Sequence, residues 1–305
     1  MGFLSSGAAV KSGDFGGRWT QEKLELLRKY ISAYTKIFRR NRRARYFETV
    51  YVDAFAGAGH GRPRGSREPE APPLFPELAD PAVRGFLEGS PRIALEVEPR
   101  FHRYLFIERD PASARELGRL KSEFSDKAAS IQIVAEDANV FLTRWCRETD
   151  WSRTRAFVLL DPFGMQVEWS LVEAIARTEA IDLLLLFPLG VAVNRMLMRR
   201  KPPTGGWAKA LDRIFGTGEW REAFYRVTRK SGLFGPIETP AKATDLNRIG
   251  QFVLGRLETV FCGVASRPFR LLNSRNVPLY LLCFAAGNPK GAPTAVKIAE
   301  DILGR

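Results

Sequence analysis

Five short runs, Phe47–Phe55, Tyr104–Glu108, Ser130–Ala135, Ala156–Leu160 and Ile181–Phe187, are rich in apolar residues and alternate with segments of helical periodicity. Strands that read this way are covered on both faces, which in practice means a parallel sheet with crossover helices on either side. The pattern therefore predicts an α/β fold, doubly wound and mostly parallel. Pro278–Ala286 (PLYLLCFAA) and Thr259–Ser266 are expected to close the sheet as an antiparallel pair joined by the loop around Asn273.

The intervening segments supply the helices. Trp19–Phe38 carries Leu24, Leu27, Ile31, Tyr34 and Phe38 at helical spacing. Helices are also expected from Pro111 to Leu120, over Val140–Arg147, over Glu168–Thr178 and over Asp245–Val260, with Pro91 at a helix start. The 305 residues are read as one domain with two departures. Residues 60–89, rich in Pro, Gly and Arg, are expected to be an irregular insertion loop, longer than an ordinary βα connection. Residues 194–244, with Trp207, Phe215, Trp220, Phe224 and Tyr225 among many Arg and Lys, are expected to form a small helical insertion.

In an open α/β sheet, ligands bind beyond the carboxyl ends of the strands, and four of those ends carry an acid. The first strand ends in Asp53-Ala54-Phe55-Ala56-Gly57-Ala58-Gly59, whose glycines permit a tight turn close to a ligand. The spacing departs from G-x-G-x-x-G, so a dinucleotide pyrophosphate loop fits poorly. Glu108, with Asp110 as the neighbouring option, stands where a carboxylate accepts from both ribose hydroxyls. Asp137, followed by Ala138, could accept an adenine amino proton. Any one of these acids could instead cap a helix. The fourth strand ends in Asp161-Pro162-Phe163-Gly164, where a carboxylate and nearby carbonyls would hold an exocyclic amine and Phe163 would stack on a base. A turn that merely ends a strand is the plainer alternative.

Composition narrows the partners. The chain is 45% hydrophobic and 27% charged, with a net charge of +13. Genome bias explains Arg in place of Lys, but an excess of bases over acids points to a phosphate-bearing partner, RNA or DNA first. The run Arg39-Arg40-Asn41-Arg42-Arg43-Ala44-Arg45 is either a solvated connector or a phosphate contact. Three cysteines (Cys146, Cys262, Cys283) without a CxxC pair, and only two histidines, argue against a zinc site and suit a reduced cytoplasmic compartment. No apolar stretch suits a membrane span. No G-x-x-x-x-G-K-[ST] loop is present, against an NTPase, and no strand-end cysteine is placed to attack a pyrimidine carbon.

Taken together, the motifs resemble the three-Cys-motif partner protein family (TcmP), a bacterial family with a methyltransferase-like fold, named for its pairing with a three-cysteine-motif protein. The residues that carry the resemblance are Trp19, Lys23, Tyr51 through Gly59, Gly89-Ser90-Pro91, Phe106-Ile107-Glu108, Leu160 through Gly164, Asn194-Arg195 and Pro278-Leu279-Tyr280. The Asp-Pro-Phe-Gly run also looks like the tetrapeptide of tRNA guanine-N2 methyltransferases, and it lacks the fourth-position aromatic of the adenine-N6 form. The resemblance implies a Rossmann-like class I methyltransferase fold and S-adenosylmethionine as cofactor. On that reading Asp53, Phe55, Gly57 and Gly59 cradle the methionine part, Glu108 or Asp110 the ribose, and Asp137 and Ala138 the adenine. Asp161, Pro162, Phe163 and Gly164 then hold the methyl acceptor, an amine, with a nucleobase in RNA or DNA foremost. The rival expectations are a non-catalytic module that binds nucleic acid or a companion three-cysteine-motif protein, and a methyltransferase of small amines or nucleosides.

Overall fold

A computed structural model describes residues 17–56, 81–162, 164–232, 235–272 and 276–303. The chain runs α1 (Gly17–Arg40), β1 (Glu48–Asp53), α2 (Pro81–Glu96), β2 (Arg103–Ile107), α3 (Pro111–Leu117), α4 (Arg119–Glu123) and β3 (Ile131–Val134). It continues with α5 (Ala138–Glu148), β4 (Thr154–Leu160), α6 (Trp169–Ala176), β5 (Ile181–Phe187), α7 (Asn194–Met196), α8 (Gly205–Phe215) and α9 (Trp220–Phe224). The remainder is β6 (Tyr225–Gly232), β7 (Gly235–Lys242), α10 (Leu246–Glu258), β8 (Gly263–Val264), β9 (Phe269–Leu272), β10 (Pro278–Ala286) and α11 (Ala292–Leu303).

The main sheet has the order β3-β2-β1-β4-β5-β10-β8, with β9 also paired to β10. The pairs from β3 to β5 are all parallel, and β10 is antiparallel to β5, β8 and β9. The fold is therefore the mostly parallel α/β sheet, with an antiparallel last strand, that the apolar runs predict. Its apolar content explains it: β4 and β5 bury nearly every residue, including Phe157, Leu159, Leu160, Leu183 and Phe187. Cys283, expected as core packing, is fully buried in β10, and burial pushes its thiol up to about 12.

Three expectations are corrected. Of the irregular loop expected over residues 60–89, residues 60–80 lie outside the described residues and the rest is helix from Pro81, so Pro91 lies inside α2. Tertiary packing overrides the poor local signal there: Gly89 lies against Leu24 of α1, where an added Cβ would come within 2.9 Å. The small helical insertion expected over 194–244 also contains the β6–β7 hairpin, in register from Tyr225↔Lys242 to Gly232↔Gly235. Finally, Thr259–Ser266 contributes only the two residues of β8, because Thr259 caps α10 and the turn after it runs up to the strand. Leu272 ends β9, and Asn273, expected at the loop, lies outside the described residues.

Among the described residues no helix is long and apolar enough to cross a membrane. No group of three His, Cys, Asp or Glu there could hold a metal ion.

Candidate functional site

The carboxyl ends of β3, β2, β1 and β4, neighbours in that order, carry Asp137, Glu108, Asp53 and Asp161. Backbone hydrogen bonds tie these ends together. Ala54 donates to the Leu159 carbonyl (3.0 Å), Ala56 to Ile107 (2.9 Å) and Glu108 to Val134 (2.9 Å). With strands roughly 4.8 Å apart, the four acids span about 14 Å along one edge.

Asp53 is the most constrained of them. It is 1% exposed, and its Oδ2 accepts from the Ser90 hydroxyl (2.7 Å) and the Tyr51 hydroxyl (3.4 Å). Burial pushes its carboxyl up to about 7; the Ser90 hydroxyl opposes the rise, and the charge of Asp161 adds to it. The Phe55 N–H also lowers it, although no hydrogen bond of ordinary geometry reaches Oδ1. Asp161 is likewise 1% exposed, one strand away. Both acids act on Tyr51, whose hydroxyl is pushed up first by burial and then by the charges of Asp53 and Asp161.

The outer two acids have structural duties as well. Asp137 caps α5, its Oδ1 accepting from Asn139 N (2.9 Å) and Val140 N (3.3 Å). Ala138, just beyond it, is buried. Glu108 is half-buried, and its Oε1 accepts from Asp110 N (2.7 Å). Asp110 is exposed and caps α3, accepting from the N–H and the hydroxyl of Ser113 at 2.8 Å each. Those two bonds hold its carboxyl below the usual range. Of the two ribose candidates, Glu108 therefore keeps the freer carboxylate, while Asp110 is committed to its helix.

Beyond Asp161, Pro162 and Gly164 are both buried. Gly164 has φ 75°, a left-handed conformation that glycine adopts without strain. Phe163, Gly57 and Gly59 lie outside the described residues, and Phe55 is partly buried against the core. A small, nearly closed apolar cavity lies beside Pro162, lined by the buried side chains of Val167, Trp169, Leu185, Phe187 and Phe215 among others. The Trp169 indole N–H is buried there without a hydrogen-bond partner among the described residues. Arg256 lies 4.8 Å over its ring, and Gly216 packs so close that an added Cβ would come within 2.0 Å of it.

Two residues at this edge have no role assigned from sequence. Ser90, named only within a motif, reaches Asp53 from α2. Asn139 joins the first turn of α5 to the loop after β4: its Nδ2 donates to the Gln166 carbonyl and its Oδ1 accepts from Glu168 N, both at 2.9 Å. A lone Asn after a helix cap carries no signal of such a bridge. Asn194, also within the motif set, accepts from the Lys242 ammonium at its Oδ1 (2.7 Å) and its carbonyl (3.2 Å), which pins the β6–β7 hairpin to the start of α7. Of the five large aromatics in the insertion, Trp207 alone is exposed; Phe215, Trp220, Phe224 and Tyr225 are buried.

No protein-family model and no curated protein matches the chain. Among solved structures, a Legionella pneumophila protein of the family DUF519 is similar at TM-score 0.43 and 11% identity, covering 94% of this chain and 92% of its own. A candidate S-adenosylmethionine-dependent methyltransferase from Listeria monocytogenes is similar at TM-score 0.34 and 10% identity, over 84% and 97%. A candidate methyltransferase from Escherichia coli is similar at 0.28 and 12%, over 70% and 85%.

Proposed function

We propose that this chain is an S-adenosylmethionine-dependent methyltransferase that acts on an amine, with an exocyclic nucleobase amine in RNA or DNA as the target class. The observation that carries the proposal is the row of acids Asp137, Glu108, Asp53 and Asp161 at the carboxyl ends of four adjacent parallel strands. An elongated nucleoside-bearing ligand with an amino acid tail has the length and the donors to use such a row.

The residues fit that cofactor in one concrete respect. Asp53 Oδ1 is buried without a hydrogen-bond partner among the described residues, and an ammonium group would satisfy it. Glu108 would hold the ribose hydroxyls. Asp137, whose two capping bonds both go to Oδ1, keeps Oδ2 for an adenine amino group. When bound, the cofactor supplies an electrophilic methyl group. The chain's own task is then to position the acceptor, which can account for much of such a rate enhancement. Asp161 accepts an N–H of the acceptor amine and takes up the proton the amine releases, while the buried apolar side chains beside Pro162 keep water from that end of the strand.

The motif set keeps the three-Cys-motif partner family as the resemblance that accounts for it best, with a companion protein as part of that reading. The test is calorimetric titration with S-adenosylmethionine and S-adenosylhomocysteine, followed by transfer of labelled methyl onto total RNA and DNA. Absence of cofactor binding would overturn the proposal. Binding without transfer to either nucleic acid would shift the acceptor to a small amine or nucleoside.

A further inference from the structure

The surface opposite the acidic edge carries a second feature. α1 ends at Arg40, and the turn into β1 contains Arg42, Arg43 and Arg45. All five arginines from Arg39 to Arg45 are exposed, and none makes an ion pair among the described residues. Favourable interaction with the helix carboxyl end explains Arg39 and Arg40 in the last turn. It does not explain the three arginines beyond it. The acid at the start of β1, Glu48, is held by Arg103 at 2.6 Å.

The turn is internally fixed. Ala44 and Arg45 donate to the Asn41 carbonyl at 3.0 Å, Arg43 N donates to Asn41 Oδ1 at 2.9 Å, and Phe47 N to Ala44 at 3.0 Å. A turn held this way presents its cations without a large ordering cost on binding. An aromatic residue adjoins them. Tyr46 is 63% exposed, with its ring 4.0 Å from Phe47, and the Arg155 guanidinium lies 3.8 Å over Phe47 from within the fold. Phe47 is thus anchored, and Tyr46 is left presented to solvent.

We propose that the Arg39–Tyr46 turn is a docking surface for single-stranded nucleic acid, with the arginines on phosphates and Tyr46 stacked on a base. Closely spaced cations beside an exposed ring are the components of sequence-tolerant single-strand binding. Arginine, which stacks as well as pairs with phosphate, suits this better than lysine. The six residues of β1 separate this turn from Asp53 by roughly 20 Å, so it lies apart from the methyl-transfer site. The proposal needs neither cofactor nor turnover.

The test uses the full chain and a fluorescent mixed-sequence single-stranded RNA of about 16 nucleotides, with anisotropy read across a salt series. Wild type should bind at low salt. The triple variant Arg42→Glu, Arg43→Glu, Arg45→Glu should bind at least tenfold more weakly, and its log–log salt slope should be shallower by about 2. Tyr46→Ala should lose roughly tenfold on the single strand. Thermal melting, expected to be unchanged for these exposed positions, guards against misfolding. No binding by wild type, or equal affinity in the triple variant, overturns the proposal. So does an unchanged Tyr46→Ala, which leaves a mere polyanion contact, and so does tighter arginine-dependent binding to vesicles of anionic phospholipid.

Discussion

The hydroxyl of Ser90 donates to Asp53 Oδ2 at 2.7 Å, bridging α2 and the end of β1 inside the core. It is one of the contacts that hold the Asp53 carboxyl down against burial, which nonetheless lifts it to about 7. An ammonium-bearing ligand favours the ionised form, so its binding must release a proton wherever Asp53 starts protonated.

Affinity for S-adenosylhomocysteine should therefore rise with pH through about 7. In Ser90→Ala the midpoint should move upward, because a bond to the charged form has been lost. Calorimetry in two buffers of different ionisation enthalpy reads both the midpoint and the proton released. A pH-independent affinity would remove Asp53 from the cofactor site.

Glu108 and Asp110 can be separated by experiment. Glu108→Ala should lower cofactor affinity by roughly tenfold or more, since hydrogen bonds to a charged group are lost. Asp110→Ala should lower the melting temperature modestly through its cap on α3, with affinity within a few-fold of wild type. The reverse pattern would assign the ribose to Asp110.

Much of this arrangement is legible from the chain because it depends on local apolar pattern. The runs at Ala156–Leu160 and Ile181–Phe187 read as strands because short, nearly all-apolar runs between turns suit a sheet covered on both faces, and once they are parallel their carboxyl ends must face one edge. The duties of Asp110 and Asp137 are also legible in kind, as acids directly before helices. What stays hidden is long-range. The reach of Ser90 across 37 positions to Asp53 has no local signature. The β6–β7 hairpin is masked because Pro236 and Pro240 sit in it among charged residues, and it stands outside the main sheet, so no core-facing alternation marks it. Helix α2 is masked by Gly89 and Pro91, which ordinarily end helices; here Gly89 packs against Leu24 of α1, and Ser90 between them reaches Asp53.

Asp161→Asn should abolish methyl transfer while cofactor affinity stays within a few-fold, because the proposed function gives this side chain at the end of β4 to the acceptor and Asp53 to the cofactor. Loss of both together would make Asp161 a structural residue of the strand end.

Asn139→Ala should act through the loop after β4. Removing the amide frees the Gln166 carbonyl and the Glu168 N–H, and a displacement of about 1 Å at the acceptor costs roughly 10²-fold in turnover. The expected result is a lower kcat with cofactor affinity nearly unchanged. Equal loss in both would place Asn139 in cofactor binding through the cap of α5.

The last prediction concerns the far end of the sheet, where Tyr30 on α1 donates to Asp182 Oδ2 at 3.2 Å near the start of β5. Burial raises the Asp182 carboxyl to about 7, opposed by Tyr30 and by the charge of Arg155. The unfolded chain titrates near the ordinary carboxylate value, so between the two pKa values the folded state binds more protons. Stability from this group is therefore full below the unfolded pKa and is lost as pH rises through about 7. Asp53 contributes in the same direction. Asp182 keeps some solvent access, so the effect should fall well short of the full shift, on the order of 1 kcal/mol, or roughly 2 °C. Asp182→Asn keeps an acceptor for Tyr30 and removes the titration. It should melt a few degrees above wild type at alkaline pH and show no such gain at pH near 5. Melting curves from pH 5 to 9 decide it: a difference that does not grow with pH would mean that Asp182 is ionised in the folded state throughout, held by Tyr30 and Arg155.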